Sequence, residues 1–435
     1  MARTAKRDLT RQQQLARGPV DLPYLGLVLI LLGIGLVMLL SSSSYVASIE
    51  KTSNYDGAYY FKRQAAFAAM GLVIMYFVSK FDYQRLRGIS VIVLGIAILL
   101  LIAVLIPHVG ITHNRATRWL KIGVEFQPSE VAKIGVVLFF AARLCKREQY
   151  KKKPSKNRYS KPVELIRRFW YWSELNELWP LVLILAVVAL LLIREPHLSA
   201  PILIFAAAAA ILFAAGVKLF WFALGGGLGA VGVWLLLVVV GYNGSRIEMW
   251  KNPWADPGDK GYQIVQSLYA VASGGLSGLG FGMSRQKFAY LPEEQNDYIF
   301  SIVCEEMGFI GAGIIIALFA LLVIRGYWLA LHARDRFGAL TIVGITTLMA
   351  VQVFLNIAVV TNLIPSTGIA LPFFSYGGTA LVIQLAEMGI VLSISRQIPA
   401  PPEPAKKPLT RAEKKALKKA KKAEAKAAKA AEKAE

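Results

Sequence analysis

Ten separate apolar runs, each near the length of a bilayer crossing, leave this 435-residue chain few ways to fold. They lie at about 23–40, 64–80, 89–107, 126–142, 178–194, 199–216, 219–241, 299–324, 339–360 and 379–396. A spanning helix needs ~20 mostly apolar residues. Within lipid only a helix satisfies its own backbone over such a run. The expected fold is therefore all-α: a polytopic membrane protein of about ten transmembrane helices. The first run is long for a signal-peptide core and has no convincing cleavage site, so it reads as an uncleaved span. The composition agrees, with 56% hydrophobic residues and a mean hydropathy of +0.50, outside the soluble globular range.

Charge supplies the orientation. The formal net charge is +22, and three segments hold nearly all of it: residues 1–20 at +4, 143–168 at +9 and 402–435 at +7. With ten spans, all three fall on one side, together with the short loops bearing Arg85, Arg87, Lys218, Arg334 and Arg336. The positive-inside rule makes that side cytoplasmic, with both termini there. The chain divides into a basic tail (1–20), a ten-span body (21–398) and a Lys/Ala-rich tail (399–435) too poor in large apolar residues to build a core. In a membrane protein these basic runs read as a face held against anionic lipid, and no nucleic-acid partner is expected.

The polar, Gly- and Pro-rich loops fall on the other side, which makes it the working surface. The longest is about 242–298, and it ends in Ser284 to Phe300, where Asp297 sits at the mouth of the eighth span. A carboxylate there faces a protein cavity or water. It either abstracts a proton beside an anionic substrate or caps the helix that follows. Glu130 and Lys133, three apart at the start of the fourth span, share a helix face. They are either a structural ion pair or part of a site that organises an anionic substrate. Arg115, Arg118 and Lys121 in one loop, and Arg246, Lys260, Arg285 and Lys287 in the long loop, run against the positive-inside pattern. Phosphate is one reason for them; neutralisation of Glu125, Asp256 and Glu293 is the other. Glu305 and Glu306 lie two turns beyond Asp297, as cavity-lining acids or as interhelical ties. His197 reads as a structural hydrogen-bonding residue. The run Ser273 to Gly280 lacks the Lys-Ser/Thr ending of a phosphate-binding loop and reads as tight turns or close packing. Cys145 and Cys304 fall on opposite faces, so no disulfide joins them, and no Cys/His metal spacing is present.

Together the motifs have a precedent. Phe126-Gln127-Pro128-Ser129-Glu130 with Lys133, Gly261-Tyr262-Gln263 with Gln266-Ser267, Asn296-Asp297-Tyr298-Ile299-Phe300, Glu305-Glu306-Met307-Gly308 and the Pro372–Gly378 run containing Ser375 resemble the SEDS family (shape, elongation, division and sporulation) over about 20–396. Ser284-Arg285-Gln286-Lys287 followed by Tyr290-Leu291-Pro292-Glu293 resembles its division and sporulation branch more than its elongation branch. The Glu195-Pro196-His197-Leu198-Ser199 loop departs from the family's commoner Gln-Pro-Asp-Leu-Gly, so no role is carried over to His197.

The resemblance implies a peptidoglycan glycosyltransferase in a bacterial cytoplasmic membrane. Its substrate would be lipid II, and Asp297 matches the family's catalytic acid. Inverting displacement of undecaprenyl pyrophosphate needs one carboxylate base and cations for the leaving group. The basic residues above, with Gln263, Glu305, Glu306 and Ser375, are the candidate substrate or cavity residues. No cofactor is identifiable, although the pyrophosphate chemistry would accept a divalent cation. Implied partners are a class B penicillin-binding transpeptidase and other membrane division proteins. Two other classes compete: a lipid II flippase, and a non-catalytic division scaffold.

Overall fold

The computed structural model describes residues 18–107, 109–113, 116–122, 124–145, 175–195, 199–234 and 244–398. The expected tails, most of the basic 143–168 loop, Arg115 and His197 lie outside the described residues.

Ten apolar helices stand where ten spans are expected. They are α1 (Leu22–Ile49), α2 (Tyr59–Lys80), α3 (Gln84–Val104), α4 (Pro128–Leu144), α5 (Leu175–Arg194), α6 (Ser199–Ala214) and α7 (Leu219–Trp234), and then α10 (Ile299–His332), α11 (Arg336–Val360) and α12 (Gly378–Ser395). Seven of the ten are long and apolar enough on their own to cross a membrane; α4, α6 and α7 have 16 or 17 residues. Two short helices, α8 (Gly244–Lys251) and α9 (Tyr262–Ser273), lie in the long loop. The chain is a multi-pass membrane protein.

Helix starts follow local chemistry. Asp21 accepts from the Tyr24 amide at 2.9 Å, and Pro23 pre-sets the first turn of α1. Asp335 caps α11 in the same way, accepting from the Phe337 amide at 3.2 Å. The first helix does not stop where its apolar run does, at about Leu40, but continues through four serines. Ser43 and Ser44 turn their hydroxyls back onto the Leu39 and Ser41 carbonyls at 2.7 and 3.2 Å, so the helix continues to Ile49.

Burial separates the centre from the rim. Two thirds (67%) of the apolar windows of α11 and α12 are buried, against 22% for α2 and 28% for α3. α12 packs along α2, α3 along α4, and α11 against α10 and α6.

Two features depart from a plain helical reading. The loop before α4 forms an antiparallel sheet of β1 (Gly110–His113), β2 (Ala116–Ile122) and β3 (Val124–Phe126), in which Gly110 pairs with Leu120 and Leu120 with Phe126. Its β-branched and aromatic residues favour the extended form. The second is a break in α10 at Gly308, where φ is 65° and ψ is −169°. A Cβ at Gly308 would lie 2.3 Å from the Gly278 amide nitrogen. This backbone region is in effect open only to glycine.

Candidate active site

Asp297 closes the long loop just before α10, and the loop between α11 and α12 holds its segment in place. The stitching is done by amides and hydroxyls rising from apolar helices. Asn356 of α11 donates to the carbonyls of both Asp297 and Ile369 at 2.7 Å. Gln352, one turn earlier, donates to Ala370 at 2.9 Å. Ser375 accepts from the Leu371 amide at 2.7 Å and donates to the Asn296 carbonyl at 2.6 Å. The Tyr376 amide donates to the Gln295 carbonyl at 2.8 Å. Gln64 of α2 spans both sides of this turn, donating to the Ser375 carbonyl at 3.1 Å and accepting from the Gly377 amide at 3.2 Å. Ser199, at the start of α6, holds the Thr367 carbonyl at 2.6 Å. Asp297 is thus fixed through its backbone.

The carboxylate itself is left available. Among the described residues no side chain or amide donates a hydrogen bond to it. It is partly buried, and its Oδ2 lies 3.2 Å from where a Cβ at Gly368 would stand, so only glycine leaves this space open. Burial, seconded by the charge of Glu293, raises the carboxyl to about 6, while Arg118 and Arg246 oppose the rise. An acid in that state is mostly ionised at neutral pH yet holds a proton readily. Both arginines are therefore within electrostatic reach of Asp297. Arg118 donates to the Glu195 carbonyl at 3.3 Å, and Arg246 to the Ser366 carbonyl at 3.3 Å.

Other sequence candidates lie elsewhere. Gln263 of α9 donates to the Pro292 carbonyl at 3.1 Å and steadies the approach to Asp297. Lys260 and Arg285 are exposed. Lys287 is not a free cation at the mouth. It is buried, and its Nζ donates to the Gly282 carbonyl at 2.5 Å and pairs with Glu306 at 3.4 Å. Glu305 and Glu306 are enclosed by the chain. Glu305 accepts from Ser273 at 3.3 Å, from the Ser284 hydroxyl, and from the amides of Arg285 and Gln286 at 3.1 and 3.3 Å. Glu306 accepts from Ser41 at 2.7 Å and from the Ser284 amide at 3.4 Å. These two acids anchor the loop.

Glu130 and Lys133 form a buried pair at 2.7 Å in the first turns of α4. Glu387 of α12, itself buried, lies within electrostatic reach of both. The sequence reading missed Glu387, and it missed Gln64, Gln352 and Asn356. The signal for all four was present: a polar side chain inside an apolar run needs a partner. Two further buried acids near the site, Glu195 and Glu294, have carboxyls pushed up to about 8, chiefly by desolvation. Among the described residues no three of His, Cys, Asp or Glu gather as a metal site.

The ten-helix fold, with a backbone-pinned acid and two arginines at one end, defines a class of multi-pass membrane protein. The FtsW/RodA/SpoVE family, described as cell cycle proteins, matches residues 23–399, and the chain belongs to it. Stage V sporulation protein E of Bacillus subtilis is 39% identical over 378 residues, covering 86% of this chain and 97% of that protein. A probable peptidoglycan glycosyltransferase FtsW of Geobacter sulfurreducens is 37% identical over 383 residues, covering 88% and 96%. Among solved structures, a chain of a peptidoglycan synthase complex that coordinates polymerization and crosslinking superposes with a TM-score of 0.67 at 27% identity, over 87% of this chain and 98% of that one. The rod shape determining protein RodA of Thermus thermophilus shares the fold, with a TM-score of 0.60 at 24% identity, over 88% and 98%.

Proposed function

We propose that this protein is a peptidoglycan glycosyltransferase of the division and sporulation branch, polymerising lipid II with Asp297 as general base. The observation that carries the reading is the state of Asp297. Its backbone is fixed from two sides, its carboxylate lacks a donor among the described residues, and its acidity is lowered to about 6. In the reaction a sugar hydroxyl of one substrate attacks the anomeric carbon of another. The proton passes to Asp297 as the new C–O bond forms, and the bond to pyrophosphate breaks with inversion. Arg118 and Arg246 are the cations the geometry offers to the departing charge. One carboxylate suffices, because no covalent enzyme intermediate is formed. The sequences and names of the relatives support the same activity.

The basic segments support an extracytoplasmic site and cytoplasmic termini. The peptidoglycan synthase complex among the structural relatives supports a class B transpeptidase as partner. A flippase is the second reading, favoured by the buried Glu130–Lys133 pair with Glu387 nearby. Charges inside a span are a feature of transport paths. Gel-resolved glycan made from labelled lipid II in detergent, where no bilayer can be crossed, separates the two. Polymer from the wild type, lost in Asp297→Asn, is the expected result. No polymer from the wild type with any transpeptidase partner, alongside flipping in vesicles, would favour the transporter.

A further inference from the structure

Residues 274–290 lie outside every span, yet they expose large apolar side chains. Leu276 is 72% exposed, Met283 67% and Phe281 59%. An irregular soluble loop would hide such residues or replace them. Here they continue a surface begun by Phe309 and Ile310 of α10, which are 75% and 58% exposed.

The backbone explains how such a segment can meet hydrocarbon. The Gly308 break removes the normal ladder of α10, and the loop replaces it. The Phe309 and Ile310 amides donate to the Gly275 and Leu276 carbonyls at 2.9 and 3.1 Å. The Leu279 and Gly280 amides donate to the Glu305 and Glu306 carbonyls, both at 3.0 Å. The amides of residues 284–286 are taken by the Glu305 and Glu306 carboxylates. Non-helical backbone at membrane depth survives only when its polar groups are met in this way.

The depth follows from α10 itself. Near its far end Arg325 pairs with Asp21 at 2.5 Å and lies 4.1 Å over the ring of Trp328, groups that favour the opposite interface. From Arg325 back to Phe309 an untilted helix rises ~24 Å. The hydrocarbon core is ~30 Å thick. Phe309, and Leu276 beside it, therefore sit a few ångströms below the near edge of the core.

We infer that residues 274–290 form a lip immersed in the bilayer leaflet on the Asp297 side, with Leu276, Phe281 and Met283 against lipid acyl chains. The lip ends seven residues before Asp297, so it ties the height of the Asp297 carboxylate to the bilayer surface. The inference does not depend on the proposed chemistry.

The test measures depth. In a Cys145→Ser background, where the remaining Cys304 is only 8% exposed, spin labels are placed at Leu276→Cys, Met283→Cys and, as an aqueous reference, Asp259→Cys. In lipid nanodiscs, the ratio of collisions with oxygen to collisions with a water-soluble nickel chelate should be several-fold higher at 276 and 283 than at 259. On the unsubstituted protein, a phospholipid carrying a diazirine in its acyl chain should crosslink to peptides spanning 274–290. Equal ratios at all three positions, with no crosslinked peptide, would overturn the lip. So would wet labels at 276 and 283 that become shielded only when a transpeptidase is added, because a partner protein would then be the occupant.

Discussion

Asp297 and the Glu305–Glu306 pair lie within ten residues of each other and carry the same functional group, but the protein treats them in opposite ways. The glutamates are saturated: hydroxyls, amides and the Lys287 ammonium take up their oxygens. Asp297 is held only through its main chain, by Asn356 and by the turn around Ser375, and its carboxylate is raised to about 6. A carboxylate ringed by donors has its lone pairs already occupied. One that is buried with few donors is poised to take a proton. The difference lies in which atoms of the residue receive hydrogen bonds, and composition alone does not reveal it.

The contrast is sharpest at Asp297. Asp297→Asn keeps the shape and should lower glycan synthesis by about 10²–10⁴ in single-turnover assays, with the protein still folded. Its thermal stability should hold or rise at pH 7. The folded carboxyl titrates at about 6 against an ordinary 3.8, so ionising it costs stability as pH climbs through that window, and the amide removes the cost. A clear fall in melting temperature would place Asp297 with the structural acids.

Glu306→Ala should do the reverse. It strands a buried Lys287, and breaking such a pair costs about 3–5 kcal/mol. Denaturation in detergent should show the loss, with any remaining folded fraction retaining turnover. A fully stable Glu306→Ala that cannot polymerise would move this acid into the chemistry and erase the contrast.

Gly308→Ala forces a side chain into a glycine-only backbone and against the 276–278 carbonyls and amides. Strain of this kind is worth about 1–3 kcal/mol. The melting temperature should drop by a matching few degrees, and a neutral result would show that the break is easily straightened.

The pH profile should give a smaller effect. Between pH 5 and 6 the rate should rise several-fold with the ionised fraction of Asp297 and flatten above about 6.5, provided product release is not limiting. A flat profile through pH 6 would mean that the free carboxylate is not the base.

The sequence alone showed a good deal of this. Runs of apolar residues marked ten spans, although the first and eighth helices run well past them, to Ile49 and His332, and Asp297 stood out as a charge at a helix mouth. What it hid depends on partners far apart in the chain. Lys287 and Arg285 look alike as loop cations, and only the fold, which brings Glu306 of α10 against Lys287, shows that Lys287 is buried. The Gly308 break was hidden because an apolar run continues across it, and the interruption exists only beside the 275–280 backbone. Gln64 and Asn356 were legible in principle, as amides in lipid-length runs, but their targets are carbonyls that no side-chain pattern encodes.

The backbone bonds between the 275–280 loop and 305–310 of α10 also fix a perimeter. They close the chain into a ring whose two ends are pinned, and Asp297 rides on its arc. A residue added or removed between 288 and 296 shifts the arc by up to ~3.5 Å, more than a proton transfer tolerates. The same change among the exposed residues 257–260 falls outside the ring. Chain length is therefore expected to set the position of Asp297 on one side of Gly275, and to leave it unchanged on the other.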